Sequence, residues 1–183
     1  MAFSVRTAPT FSIWKNSQEE APPGPALFDE TGRTPAGLAA YRGAIDDLDD
    51  LIVRDSRSHA DAADLHKETP LHIAATYGHL DIVKMLVRDH GVAVDPVNWE
   101  GWTPLFCALS RSHVTVADYL LRHGANLRHT TPSGMTALHI ASWFNQRDSA
   151  KLLLHKRELM YDENAYGVIP IGMARPGPVK RML

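Results

Sequence analysis

The chain has 183 residues, of which 44% are hydrophobic and 22% charged, and a net charge of −2. That balance excludes a wholly disordered chain, no apolar run approaches a membrane span, and the small net charge with no dominant basic stripe argues against nucleic acid as the partner. A single cysteine, Cys107, excludes an internal disulfide framework and fits a reducing compartment.

Residues 1–28 read as a separate arm. Ala21-Pro22-Pro23-Gly24-Pro25 is an extended, helix-free linker. Ahead of it lie Phe3, Phe11, Ile13 and Trp14, which suit an arm lying on the folded part or on a partner, anchored by Trp14. The competing reading is a disordered terminus. No signal-peptide core is present, because Arg6, Pro9 and polar residues interrupt the stretch from Phe3 to Trp14. With only Arg6 and Lys15 as basic residues ahead of Glu19, a mitochondrial address is not expected.

One segment then recurs along the chain. It begins as Thr34-Pro35-Ala36-Gly37-Leu38-Ala39-Ala40 and returns as Thr69-Pro70-Leu71-His72-Ile73-Ala74-Ala75. It returns again as Thr103-Pro104-Leu105-Phe106-Cys107-Ala108, as Thr136-Ala137-Leu138-His139-Ile140-Ala141 and, truncated, as Ile169-Pro170-Ile171-Gly172-Met173-Ala174. The starts are 35, 34, 33 and 33 residues apart. A period near 33 signals stacked supersecondary units, which generally bind proteins.

Each copy predicts a helix start. Thr69 is an N-cap whose hydroxyl accepts a free amide, and Pro70 sits at the first helical position, where its missing N–H costs nothing. His72 falls three residues after the cap and can reach back to it. Ala74 and Ala75 keep the helix thin, and Gly78 ends it. A second helix follows, with Leu80, Val83, Leu86 and Val87 predicted as its buried face. In the first copy, Ala36 and Gly37 predict a soft first helix. The second helix there carries Asp46, Asp47, Asp49 and Asp50, an acidic surface suited to an end unit that meets water. Lys67 stands where the other turns have glycine, and Arg157 stands where a glycine should follow the fourth second helix. Arg175-Pro176-Gly177-Pro178 stops the last copy early. Its Ile169, Ile171 and Met173 are expected to lid the fourth unit.

This grammar resembles the ankyrin repeat family, most strongly in Thr69–Trp102, Thr103–Met135 and Thr136–Val168. The resemblance implies an all-α repeat solenoid of helix-turn-helix pairs joined by β-hairpin loops. Its expected layout is an arm at 1–28 and an ankyrin repeat domain at 29–176, followed by a C-terminal tail at 177–183. The repeats lie at about 29–66, 67–100, 101–133 and 134–166, with a partial capping repeat at 167–176.

In this family partners usually touch the hairpin tips and the ends of the first helices, on the concave side. Carried onto this chain, those positions hold Arg33, Tyr41, Arg42, His66, Tyr77, Trp99, Trp102, Arg111, Met135, Trp143, Phe144 and Tyr166. Beside them stand Glu30, Glu68, Thr76, Glu100, Ser110 and Pro132. Three of the four tryptophans fall on this row, at positions the repeat does not need for its own core. Trp, Tyr and Arg are the side chains most enriched at binding hot spots. Against this stands mutual stacking of neighbouring hairpin tips, or an arm that folds back and fills the groove. Residues 29–66 hold nine acidic and four basic residues, and residues 101–183 hold five acidic and ten basic. The array is therefore polarised end to end, which would orient a docking partner.

Chemistry of its own is not expected. Of the ten histidines, His72 and His139 belong to the caps, and His79 and His113 to the turns after the first helices. His90 and His123 close second helices, where the dipole suits them. No Cys/His pair has zinc spacing, and no phosphate loop is present. Cys107 occupies a small slot equivalent to Ile73 and Ile140 and reads as a packed thiol. The expectation is a non-enzymatic protein-interaction module without cofactor or metal, acting as adaptor, scaffold or inhibitor in the cytoplasm, with nuclear or cytoskeletal association open. Two alternatives are a structural subunit of a large cytoskeletal or organellar assembly, tethered by the arm, and a regulatory subunit that blocks an enzyme's active site.

Overall fold

The Thr-Pro steps start the helices they predict. The computed structural model describes residues 29, 32–54, 60–154, 157–177 and 179–183. The arm at 1–28 and Glu30 lie outside the described residues. Four helix pairs follow in chain order. They are α1 (Pro35–Arg42) with α2 (Ile45–Arg54), and α3 (Pro70–Tyr77) with α4 (Leu80–Lys84), which runs on as a π-helical turn at Met85–Asp89. Then come α5 (Pro104–Ser110) with α6 (Val114–Arg122), and α7 (Ala137–Trp143) with α8 (Arg147–Leu154). A 3-10 turn, Arg157–Met160, stands near the end of α8, where the sequence lacks a glycine. The one-turn helix α9 (Pro170–Met173) closes the array before the Pro-Gly-Pro segment.

The first helix of each pair stacks on the next, α1 on α3, α3 on α5, α5 on α7 and α7 on α9. Helices α4, α6 and α8 form an outer layer. The inner helices are buried nearly all round, because each has neighbours on both flanks and its own second helix behind. Every residue of α5 is buried, as are Pro70 to Ala75 and Ala137 to Ser142. Their alanines, together with Gly37, let these helices approach closely.

Two expectations change at this level, those for the buried face of the second helix in repeat two and for the last repeat. Helix α1 runs its full length from a Thr34 hydroxyl that accepts from the Gly37 amide at 3.0 Å. A Cβ at Gly37 would lie only 3.0 Å from Ile73 Cδ1, so the glycine serves close packing on α3. The core side of the second helix in repeat two is Ile82, Val83, Met85 and Leu86, while Leu80 and Val87 are only partly buried. That helix is flanked by neighbours as well as backed by α3, so its buried stripe is wider and rotated. The last repeat seals the core with Pro170, Ala174 and Val179, whereas Ile169, Ile171 and Met173 are half-buried. Met182 and Leu183 pack against the same core, so the segment after Pro178 takes part in the cap.

Among the described residues the connecting loops contain no strand. Each tip is a five-residue turn closed by two backbone bonds and one side chain. Asn98 donates its amide to the Trp102 carbonyl at 3.1 Å, and its Oδ1 accepts from Glu100 N and Trp102 N at 3.0 and 2.9 Å. Asp64 and Asn164 do the same in their turns. The fourth position of the turn is left-handed throughout, at Gly32, Gly101, Gly134 and Gly167 and also at Lys67, with φ 58°. The position that ends the first helix behaves likewise, at Gly43 and Gly78 and at the non-glycines Ser112 and Asn145.

Candidate protein-binding face

The repeats are joined by side-chain hydrogen bonds to backbone carbonyls, and these position the face. His72 and His139 complete reciprocal caps with Thr69 and Thr136 through Nδ1. The opposite ring nitrogen, Nε2, reaches forward to the carbonyl of Trp102 at 3.0 Å and of Val168 at 2.8 Å. A carbonyl only accepts, so Nε2 carries the proton and Nδ1 accepts from the cap amide. Burial holds both imidazoles below the usual histidine range.

A second set reaches backward. His79 Nε2 meets the Tyr41 carbonyl at 3.2 Å, His113 Nε2 meets Thr76 O at 3.1 Å, and Gln146 Nε2 donates to Ser110 O at 2.8 Å. Sequence reasoning placed His79 and His113 in turns without this cross-repeat role. The spacing from 79 to 113 to 146 carries the signal. His90 likewise has a partner beyond its own helix, with Nε2 2.8 Å from Asp49 Oδ1 on α2.

The candidate contact residues gather into two aromatic groups. In repeats one and two, the Arg33 guanidinium lies 4.3 Å above the Tyr41 ring. The edge-on Tyr77 ring is 4.7 Å from Tyr41, and His79 stacks beyond it at 6.5 Å. In repeats three and four, Trp102 and Phe144 meet edge to face at 5.8 Å. Trp143, adjoining Phe144, is 38% exposed. Trp99 and Tyr166 stand out at the turn tips, 68% and 77% exposed. His66, Arg42 and Arg111 are exposed. The His66 carbonyl accepts from Trp99 N at 3.2 Å, which ties two tips together. Arg42 also borders a shallow groove at the first-repeat end with Asp47 and Asp50.

Trp102 departs from the expectation that the tryptophans of the row are free of core duty, and Met135 shares its setting. Both are partly buried and pack against the core. The reason is positional: each immediately precedes the N-cap of an inner helix, so its side chain lies over the joint between repeats.

His129 and Glu68 complete the picture. His129 Nε2 donates to the Gly101 carbonyl at 2.8 Å, and its ring meets the Phe106 edge at 5.5 Å. Phe106 occupies the slot that holds histidine in the flanking repeats. Glu68 is partly buried between turns, and burial with the nearby Asp64 charge raises its carboxyl above the usual range. Cys107 is 4% exposed, and burial pushes its thiol up to about 12, the property of a packed thiol rather than a nucleophile. Among the described residues no helix is long and apolar enough to cross a membrane.

Comparison with known proteins agrees with this geometry. The family model for ankyrin repeats matches three times, over residues 16–98, 36–130 and 91–164. The chain is similar to the phosphate system positive regulatory protein PHO81 of Saccharomyces cerevisiae, at 32% identity over 137 residues. That match covers 75% of this chain and 10% of the relative. It is also similar to alpha-latrotoxin-Lh1a of Latrodectus hasselti, at 38% identity over 69 residues, covering 38% of this chain and 5% of the toxin. The chain thus spans a small fraction of the curated relatives it matches. Ankyrin repeats in general are non-catalytic protein-interaction modules. Three overlapping family matches, the recurrent Thr-Pro caps and the stacked helix pairs show that this chain belongs to the ankyrin repeat family.

Proposed function

We propose that the chain recognises a protein partner through the face built from its turn tips and inner-helix ends, serving in the cytoplasm as an adaptor, scaffold or inhibitor. One observation carries this reading. Tyr41, Tyr77, Trp99, Trp143, Phe144 and Tyr166 are all exposed large side chains at those positions. An ordered set of exposed aromatics burdens solubility unless a partner covers it. Each large side chain fully covered would contribute roughly 1.5–3 kcal/mol. The binding energy would be concentrated in these rings, and the acidic first repeat and basic last repeats would set orientation.

The test is affinity capture from native extract with the wild type and with a Tyr77→Ala/Trp143→Ala variant. Partners held by the wild type and lost by a folded variant support the face. An identical partner set for both would move recognition to another surface.

A further inference from the structure

The residues that close the C-terminal ends of the inner helices repeat a chemical alternation. The position directly before the left-handed residue is Arg42, then Tyr77, Arg111 and Phe144. All four are exposed. The two aromatics each meet another ring edge to face, Tyr77 that of Tyr41 and Phe144 that of Trp102. Neither guanidinium has an ion pair among the described residues. Arg33, over Tyr41, adds a second cation at the Arg42 end of the row.

Stacked helices lie about 8–10 Å apart, so cation and ring alternate at roughly that interval and the two arginines stand about 16–20 Å apart. An extended polyproline-II chain rises about 3.1 Å per residue with three residues per turn, so every third side chain returns to the same face after about 9.3 Å. An α-helix returns to one face after seven residues, or about 10.5 Å, which overshoots at every step. We infer that the row recognises an extended protein segment of the pattern acidic–x–x–apolar–x–x–acidic–x–x–aromatic, read in one chain direction or the other. The carboxylates pair with Arg42 and Arg111, and the apolar side chains cover Tyr77 and Phe144. The inference rests on the recognition face proposed above and adds the chemistry of its partner.

The probe is a fluorescein-labelled, proline-containing peptide with glutamates six residues apart, leucine midway and phenylalanine three residues beyond, made in both chain directions. A second pair carries lysine in place of glutamate. Anisotropy titrations use the full chain at low salt. The expected result is at least tenfold tighter binding of one glutamate peptide than of its lysine counterpart. The Arg42→Glu/Arg111→Glu variant, shown by circular dichroism to keep its helices, should reverse that preference. Equal affinity for both charge types, or no binding of either, overturns the inference. If neither peptide binds and the Tyr77→Ala/Trp143→Ala variant still loses its cellular partner, the face stands and the specificity assigned here falls.

Discussion

His129 stands in for an amide that Pro132 cannot offer. In the first pair of turns, Leu65 N–H donates to the Gly32 carbonyl at 3.3 Å. Pro132 occupies the position of Leu65 two repeats on and has no N–H, and there His129 Nε2 donates to Gly101 O at 2.8 Å instead. Replacing His129 by Ala should lower stability by about 1–2 kcal/mol, measured as the urea midpoint. Adding Pro132→Ala to that variant should recover part of the loss, because the amide returns. A double variant no more stable than the single one would show that the ring acts through its contact with Phe106 alone.

Acid should loosen the stack. His72 and His139 are held neutral by burial, with folded values below the usual histidine range. Their contribution to stability is complete above the unfolded value of about 6.5 and is lost as pH falls toward the depressed folded values. Urea midpoints from pH 7.5 down to 5 should therefore decrease. Phe106 shows that the slot accepts phenylalanine. A His72→Phe/His139→Phe variant should be less stable at pH 7.5, through loss of the forward hydrogen bonds, yet should flatten the pH dependence. An unchanged slope would assign it to other groups.

Ser112 holds φ 62° at a position where repeats one and two use glycine. Left-handed backbone costs an ordinary residue roughly 1–2 kcal/mol, so Ser112→Gly should raise stability by about 1 kcal/mol. Asn145→Gly should gain less, since asparagine tolerates this region. The reverse change, Gly101→Ala, should cost about 2 kcal/mol or more, because its Cβ would overlap the Pro132 ring as well as strain φ 78°.

The tryptophans should separate by role. Trp99→Ala should leave the urea midpoint within about 0.5 kcal/mol of wild type, as for other surface sites. Trp102→Ala should cost distinctly more, because its ring packs on the core and braces Phe144. Equal small effects would return Trp102 to the free surface.

Cys107 should resist thiol reagents in the folded chain. With its thiol pushed up to about 12 and the side chain buried, labelling at pH 8 should follow global unfolding. Rapid labelling without unfolding would reveal local opening of α5.

Much of this molecule was legible in the chain because its rules are local. A threonine cap, a proline at the first helical position and a thin alanine pair announce an inner helix wherever they stand. The buried face of the second helix was harder to read. Leu80 and Val87 obey helical periodicity, but a helix flanked by neighbours also buries Ile82 and Met85, and one-sided periodicity does not anticipate that. The core contact of Trp102 is hidden for a related reason. The family pattern marks its position as variable, and only the path of the chain shows that it lies over the joint between repeats. His129 was overlooked because its role exists only through the proline three residues on.

Four of the joints between repeats end on main-chain oxygens, those of Tyr41, Thr76, Ser110 and Trp102. A carbonyl is the same whatever side chain its residue bears. The stack therefore holds the backbone of its recognition positions while making little demand on their identity. Evolution can rewrite the message at Tyr41 or Thr76 without renegotiating the architecture, and a designer could exchange these side chains as one changes type in a fixed frame.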